Sequence, residues 1–158
     1  MTTVAFQAPA VLAVLSNAVI YGTDVFSALV QRPALAQVDD RTLTEMMGQV
    51  HRYGDKRLPA PGTVGLIAAI AGTVIAAAQG ETVSAVAGGV ACVALLAWLG
   101  FFNKVVAPAN RALTRAADTG GTATDVRALQ RRSDGVLGAL ICCQGLALVA
   151  LCVMIAAP

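Results

Sequence analysis

Charge is scarce in this chain of 158 residues. Asp, Glu, Lys and Arg together make up 13% of it, about half of what soluble domains carry. Aromatic residues are 4%, and there is a single histidine, His51. One histidine rules out a bis-histidine haem, and no compact set of His and carboxylate ligands is spaced to hold a metal, so neither metal nor cofactor is expected. The four cysteines (Cys92, Cys142, Cys143, Cys152) include no C-x-x-C pair and read as small buried apolar residues. No glycine-rich phosphate loop is present: "GDKRLPAPG" lacks the spacing and follows no strand. A repeated, charge-lined interior of the kind ion-coupled transporters use is also missing.

What the chain has in abundance is apolar length. Hydrophobic residues make up 57%, and the mean hydropathy is +0.72. Four runs, 9–30, 62–79, 83–102 and 135–157, approach or exceed the roughly 20 residues a helix needs to cross a bilayer core. The last three contain no charge, and the first contains only Asp24. Backbone amides in lipid must bond within their own segment, so these runs are helices. The fold class is therefore an all-α membrane protein, a four-helix transmembrane bundle forming one domain over 1–158. The N-terminus does not read as a cleavable leader: no basic residue precedes the first run, which continues through Asn17, Tyr21 and Asp24.

Cations occupy two places only. Arg32, Arg41, Arg52, Lys56 and Arg57 follow the first run; Lys104, Arg111, Arg115, Arg127, Arg131 and Arg132 follow the third. The positive-inside rule puts both connections in the cytoplasm and both termini outside, giving a multi-pass cell-membrane protein. The basic residues then mark a rim facing anionic lipid rather than a nucleic-acid surface, and no nucleic-acid partner is expected. In the first connection Thr42 and Glu45 have the spacing of a capping box, Leu43, Met46, Met47 and Val50 form a narrow apolar stripe, and Gly54 offers a stop. A short amphipathic helix follows, lying under the bundle or at the interface, with Pro59 and Pro61 breaking it before the second span. In the second, "DTGGTATD" reads as a flexible turn between two short helical pieces.

Small residues recur at helical spacing: Gly65, Ala69, Gly72 and Ala76; Ala85, Gly89 and Cys92; Gly135, Gly138, Cys142 and Gly145. Such faces let helices approach closely in lipid. The two halves share a plan of span, basic connection and span, without a matching motif.

Polar groups inside spans usually face the bundle interior and mark function. Asn17, Tyr21 and Asp24 fall on one face of the first helix. At the end of the third, "FFNKVVAPANRAL" places Asn103 and Asn110 seven apart with Pro108 between. If the helix continues through Pro108, the two carboxamides share a face beside the freed Lys104 carbonyl. If it ends there, Pro108 opens an interfacial helix and the asparagines bond loose backbone groups.

These elements, "HRYGDKRLPAPG" before the second span, "WLGFFNKVVAPANRAL" closing the third and "LQRRSDGVLGAL" entering the fourth, resemble a family of small four-helix integral membrane proteins that includes the anthrone oxygenase-like proteins of polyketide pathways. Pro108 and Asn110 match its proline-any-asparagine element, and Arg131 or Arg132 its polar entry to the last span. The resemblance implies oxidation of an anthrone-like aromatic by oxygen, without a cofactor. Such chemistry needs a base to form an enolate and donors to hold an oxyanion. Asp24 and His51 are candidate bases and Asn110 a catalytic donor. Asn17, Tyr21, Asn103 and Arg131 are candidate substrate contacts, with Trp98 and Phe102 as an aromatic wall. The competing expectation is a non-catalytic accessory protein whose small-residue faces build a homo-oligomer or bind a partner, with the polar positions serving as interhelical hydrogen bonds.

Overall fold

The computed structural model describes residues 5–122 and 125–157, and among these it is all helix apart from the connections. The elements are α1 (Gln7–Phe26), α2 (Arg32–Leu35), α3 (Asp40–Arg57), α4 (Pro59–Ala78), α5 (Thr82–Phe101), α6 (Ala107–Asp118) and α7 (Val126–Ala156). Four helical stretches, Gln7–Leu35, Asp40–Ala78, Thr82–Asp118 and Val126–Ala156, are long and apolar enough to cross a membrane. The expected four-helix bundle is therefore present.

The helices alternate in direction, and each of α1 and α5 packs against both α4 and α7. They form a ring in which α1 and α5 face each other diagonally. The core is built from small side chains: Ala10, Ala13, Ala69, Ala76, Ala91 and Ala147 are fully buried. Large apolar residues such as Leu15, Ile67, Val74, Val93 and Val149 point outward all round. A soluble bundle would bury those and expose polar groups; this distribution suits a hydrocarbon surround and close helix approach. Of the three small-residue faces, only that of α4 is the packed one. In α5 the buried face is Ser84, Ala87, Gly88, Ala91, Ala94 and Leu95, rotated from the expected Ala85, Gly89 and Cys92. In α7 it is Leu137, Leu140, Gln144, Ala147 and Leu151; Gly135, Gly138 and Cys142 are exposed. Cys142 and Cys152 are likewise exposed, not buried, and all four cysteines are free.

Each long connection is helical almost throughout, so the bundle extends well past a bilayer's thickness at its basic end. There α2, α3, α6 and the first turns of α7 pack into a cap with its own apolar centre: Leu35, Leu43, Met47, Leu113 and Val126. The α3 helix differs from its expected form in three ways. Asp39, not Thr42, is the N-cap, accepting from the amides of Arg41 and Thr42. Its buried face is Leu43, Thr44, Met47 and Gly48, leaving Met46 and Val50 exposed. And neither Gly54 nor Pro59 and Pro61 ends it: α3 runs through Gly54 to Arg57, and Leu58 keeps helical angles (φ −70°, ψ −26°), donates to the Gly54 carbonyl and accepts from Gly62. Proline lacks only a donor at the start of a helix, where none is needed. The helix thus runs on into α4 and packs on α6 rather than lying flat. Part of the expected 118–125 turn, Ala123 and Thr124, lies outside the described residues; α7 itself begins at Val126, far earlier than the apolar run suggests.

Both inner helix ends share one device. A π turn, Ser27–Gln31, joins α1 to α2, and another, Phe102–Val106, joins α5 to α6. The amide of Arg32 bonds the Ser27 carbonyl and that of Ala107 bonds the Phe102 carbonyl, each five residues back. A proline follows at once in both cases, Pro33 and Pro108. Its ring would crowd the carbonyl four residues earlier, that of Leu29 or Lys104, and the wider turn lets that carbonyl move aside.

Candidate polar site in the bundle

Asp24 and Trp98 meet across the diagonal of the ring. Trp98 Nε1 donates to Asp24 Oδ2 at 2.9 Å. Both sit one turn short of the π turns, where a bilayer's core would give way to its interface. The Phe102 ring stacks on Trp98, with centroids 5.2 Å apart and planes 11° from parallel. Asp24 has an indole beside it, not a cation: the ion pairs among the described residues join other carboxylates, Asp134, Glu45, Asp118 and Asp40. A carboxylate in such a place is costly to leave charged and unpaired, which makes it a functional candidate.

Asn17 and Tyr21 follow α1 outward from Asp24. Asn17 is 1% exposed, donates to the Ala13 carbonyl at 2.9 Å and presses on Gly65 of α4, where a Cβ would lie 2.5 Å from its Nδ2. Tyr21 turns toward α7: a Cβ at Gly145 would lie 3.5 Å from its ring. One residue from Gly145, Gln144 is 1% exposed and its Oε1 has no hydrogen-bond partner. Sequence reading passed over Gln144, although an amide within the uncharged fourth run was its visible signal.

The remaining candidates lie elsewhere. About three turns of helix, some 18 Å, separate Trp98 from Asn110. Asn110 is 5% exposed at the α3–α6 contact, with Nδ2 3.4 Å from Asp55 Oδ1. His51 is half-buried in the same cap, and burial lowers its pKa to about 4 against the opposing pull of Asp55. Asn103 is exposed and donates to the Leu99 carbonyl in its own helix. The helix does continue through Pro108, yet the two asparagines do not share a face. The extra residue of the π turn rotates everything after it by about 100°. Arg131 is exposed on α7.

Polar ties hold the cap to the bundle. Arg127 donates to Asp40 Oδ1 at 2.7 Å and to the carbonyls of Leu35, at 3.0 Å, and Val38. Arg32 pairs with Asp134 at 3.1 Å, Gln130 donates to the same carboxylate at 3.0 Å, and Arg52 pairs with Asp118. Two surface depressions, one in the cap beside Glu45, Gln49 and Ala117 and one at the α4–α5 turn beside Ala77, Thr82 and Val86, are both remote from Asp24. Among the described residues no group of three His, Cys, Asp or Glu side chains could hold a metal ion.

Compared with protein families, curated proteins and solved structures, the chain matches none.

Proposed function

We propose that this chain is an integral membrane enzyme that oxidises a flat, lipophilic phenolic or anthrone-like substrate, with Asp24 as its base. The observation that carries this reading is the Asp24–Trp98 bond with Phe102 stacked behind it: a base, a donor and an aromatic surface inside an apolar bundle. Its basic end faces the cytoplasm and the anionic lipid there, and both termini face outside.

In this reading Trp98 holds Asp24 Oδ2, and Oδ1 takes the proton from the substrate's acidic C–H. The resulting enolate passes an electron to oxygen, and the two radicals combine as a peroxide. Loss of water leaves the quinone carbonyl, so one oxygen molecule enters and one water departs. Tyr21, one turn away on the same helix, supplies a hydroxyl to steady the oxyanion. His51 and Asn110 belong to the cap rather than to the chemistry, because helix length sets them apart from Asp24, and Arg131 lies exposed on α7.

The test is oxygen uptake by the protein in lipid nanodiscs given anthrone. Uptake matched by anthraquinone formation, and reduced at least tenfold in Asp24→Asn, is the expected result. Uptake no faster than in empty nanodiscs removes this substrate, and equal rates in Asp24→Asn remove this base.

A second reading is favoured by the outward small face of α7. A Cβ at Gly135 or Gly138 would meet nothing within 4 Å, so that face is free for a second helix. An accessory protein working through contacts of this kind would lose its oligomer on Gly138→Leu while Asp24→Asn left it unchanged.

A further inference from the structure

Gln144 is the one buried side chain among the described residues whose polar atom is left without a hydrogen-bond partner. An unmade hydrogen bond in the interior is costly, and more so where no water can reach it. Leucine at this position would have packed without that cost. The amide therefore asks for a donor that comes from outside the chain.

Its height in the bundle can be counted. Ser84 Oγ donates to the Met154 carbonyl at 3.1 Å, joining antiparallel α5 and α7 near the terminal end. Counting inward along both helices from that bond brings Trp98 level with Leu140 and leaves Gln144 one turn, about 6 Å, further from the basic end. The α1 helix gives the same level: the Gly145 backbone is against the Tyr21 ring, and Tyr21 is one turn outward of Asp24. Gln144 is thus buried in the ring formed by α1, α4, α5 and α7, one turn beyond the Asp24–Trp98 bond and on the α7 wall beside it.

We infer that Gln144 is the second polar anchor of this site, its Oε1 accepting a hydrogen bond from a hydroxyl on a flat aromatic ligand whose other end meets Asp24. The inference rests on the proposed site at Asp24, and it adds a specificity: the ligand carries a free hydroxyl about one helical turn from the group that Asp24 engages. A methyl ether of the same shape leaves the carboxamide unpaired and is rejected.

Trp98 is the only tryptophan in the chain, so its fluorescence reports on the site directly. The probes are 3-nitrophenol, kept neutral at about pH 6, and 3-nitroanisole, each titrated against the protein in nanodiscs, with empty nanodiscs correcting for partition into lipid. The expected result is saturable quenching with the phenol bound about tenfold more tightly than its ether. In Gln144→Leu the phenol should weaken about tenfold while the ether is unchanged, so the preference disappears. Folding is not at risk in that variant, since it removes an unsatisfied group; a melting temperature equal to or above wild type verifies this. A preference that survives in Gln144→Leu overturns the inference, as does the absence of saturable quenching by either probe. Equal binding of both probes to the wild-type protein likewise overturns it. The underlying reaction fails separately: a Gln144-dependent phenol preference without anthrone oxidation keeps the anchor and discards the oxygenase. Oxidation dependent on Asp24 but indifferent to Gln144→Leu, with no phenol preference, does the reverse.

Discussion

Pro33 and Pro108 occupy equivalent places in the two halves of the chain. The same interval in sequence separates them as separates Ser27 from Phe102, the first residues of the two π turns, and Gln7 from Thr82, where α1 and α5 begin. The ring agrees with this pairing: α1 lies diagonally opposite α5, and α4 diagonally opposite α7. A two-fold axis along the bundle would exchange the halves, and both helices of the first pair run in the same direction. Such an arrangement has the form that a parallel repeat takes, with its axis along the bundle. The Asp24–Trp98 bond, which joins the two diagonal helices, lies near that axis.

The prolines should hold the π turns open. In Pro108→Ala the new amide reaches the Lys104 carbonyl, and the ring no longer crowds it. The turn then closes to an α-helix, α6 rotates by about 100°, and Asn110 and Leu113 leave the α3 interface. Amide exchange in α3 and α6 should accelerate by about tenfold or more, while exchange in the bundle, in α4 and in α7 beyond its first turns, stays unchanged. Exchange in the cap that matches wild type would mean that packing, not proline, fixes the turn.

Asn17 and Gly65 are expected to be coupled. A Cβ at Gly65 would fall 2.5 Å from Asn17 Nδ2 and 2.8 Å from its Cγ, so Gly65→Ala should cost about 1–3 kcal/mol. Adding Asn17→Ala empties that space, and the double variant should recover most of the loss, a coupling of about 1 kcal/mol or more. Gly138→Ala, with nothing within 4 Å, should be neutral within about 0.5 kcal/mol. Detergent-titrated unfolding of the four variants measures this directly; additive losses at positions 17 and 65 would deny the contact.

The sequence made the four spans and their amphipathic neighbour legible, because composition and run length alone decide what lipid tolerates. Asp24, Trp98 and Phe102 were each visible as candidates, since an acid and a tryptophan stand out in uncharged runs. Their pairing was not, because it crosses the ring between helices far apart in sequence. The amphipathic helix of the cap was legible but its face only in part: Leu43 and Met47 of the expected stripe are buried, while Met46 and Val50 are exposed. The other half of the contact is made by backbone, the Gly48 backbone packing so closely on α6 that a Cβ would lie 2.3 Å from Ala117 Cβ, and a glycine leaves no apolar signal to read. The π turns escaped because a single inserted residue changes every face after it while leaving the sequence pattern ordinary.

Arg127 should be the strongest single tie within the cap. It joins the start of α7 to Asp40, to the Leu35 carbonyl that ends α2 and to the Val38 carbonyl in the connection that follows. Arg127→Ala leaves those carbonyls unpaired and should lower cap stability by about 1–3 kcal/mol. Arg127→Lys restores the charge but not the fork and should recover less than half. Limited proteolysis between α2 and α3 reads the effect. Full recovery by lysine would show that charge alone suffices there.

His51 should make the cap sensitive to acid. Burial depresses its pKa to about 4, with Asp55 opposing, whereas the unfolded imidazole titrates near 6.5. Above that value both states are neutral and the cap has its full stability. As the pH falls from about 6.5 toward 4, the unfolded chain takes up a proton that the folded cap excludes, so stability declines through this window. For a half-buried ring the total loss is on the order of 2 kcal/mol. Asp39, held below its ordinary range by the Thr42 amide and hydroxyl, adds to that decline only at its acid end, where the unfolded carboxyl begins to take up a proton. Amide exchange across α3 should therefore quicken from pH 7 to pH 5, after correction for intrinsic rates, and His51→Gln should flatten the response. An unchanged slope in His51→Gln would show that this imidazole does not set the acid sensitivity of the cap.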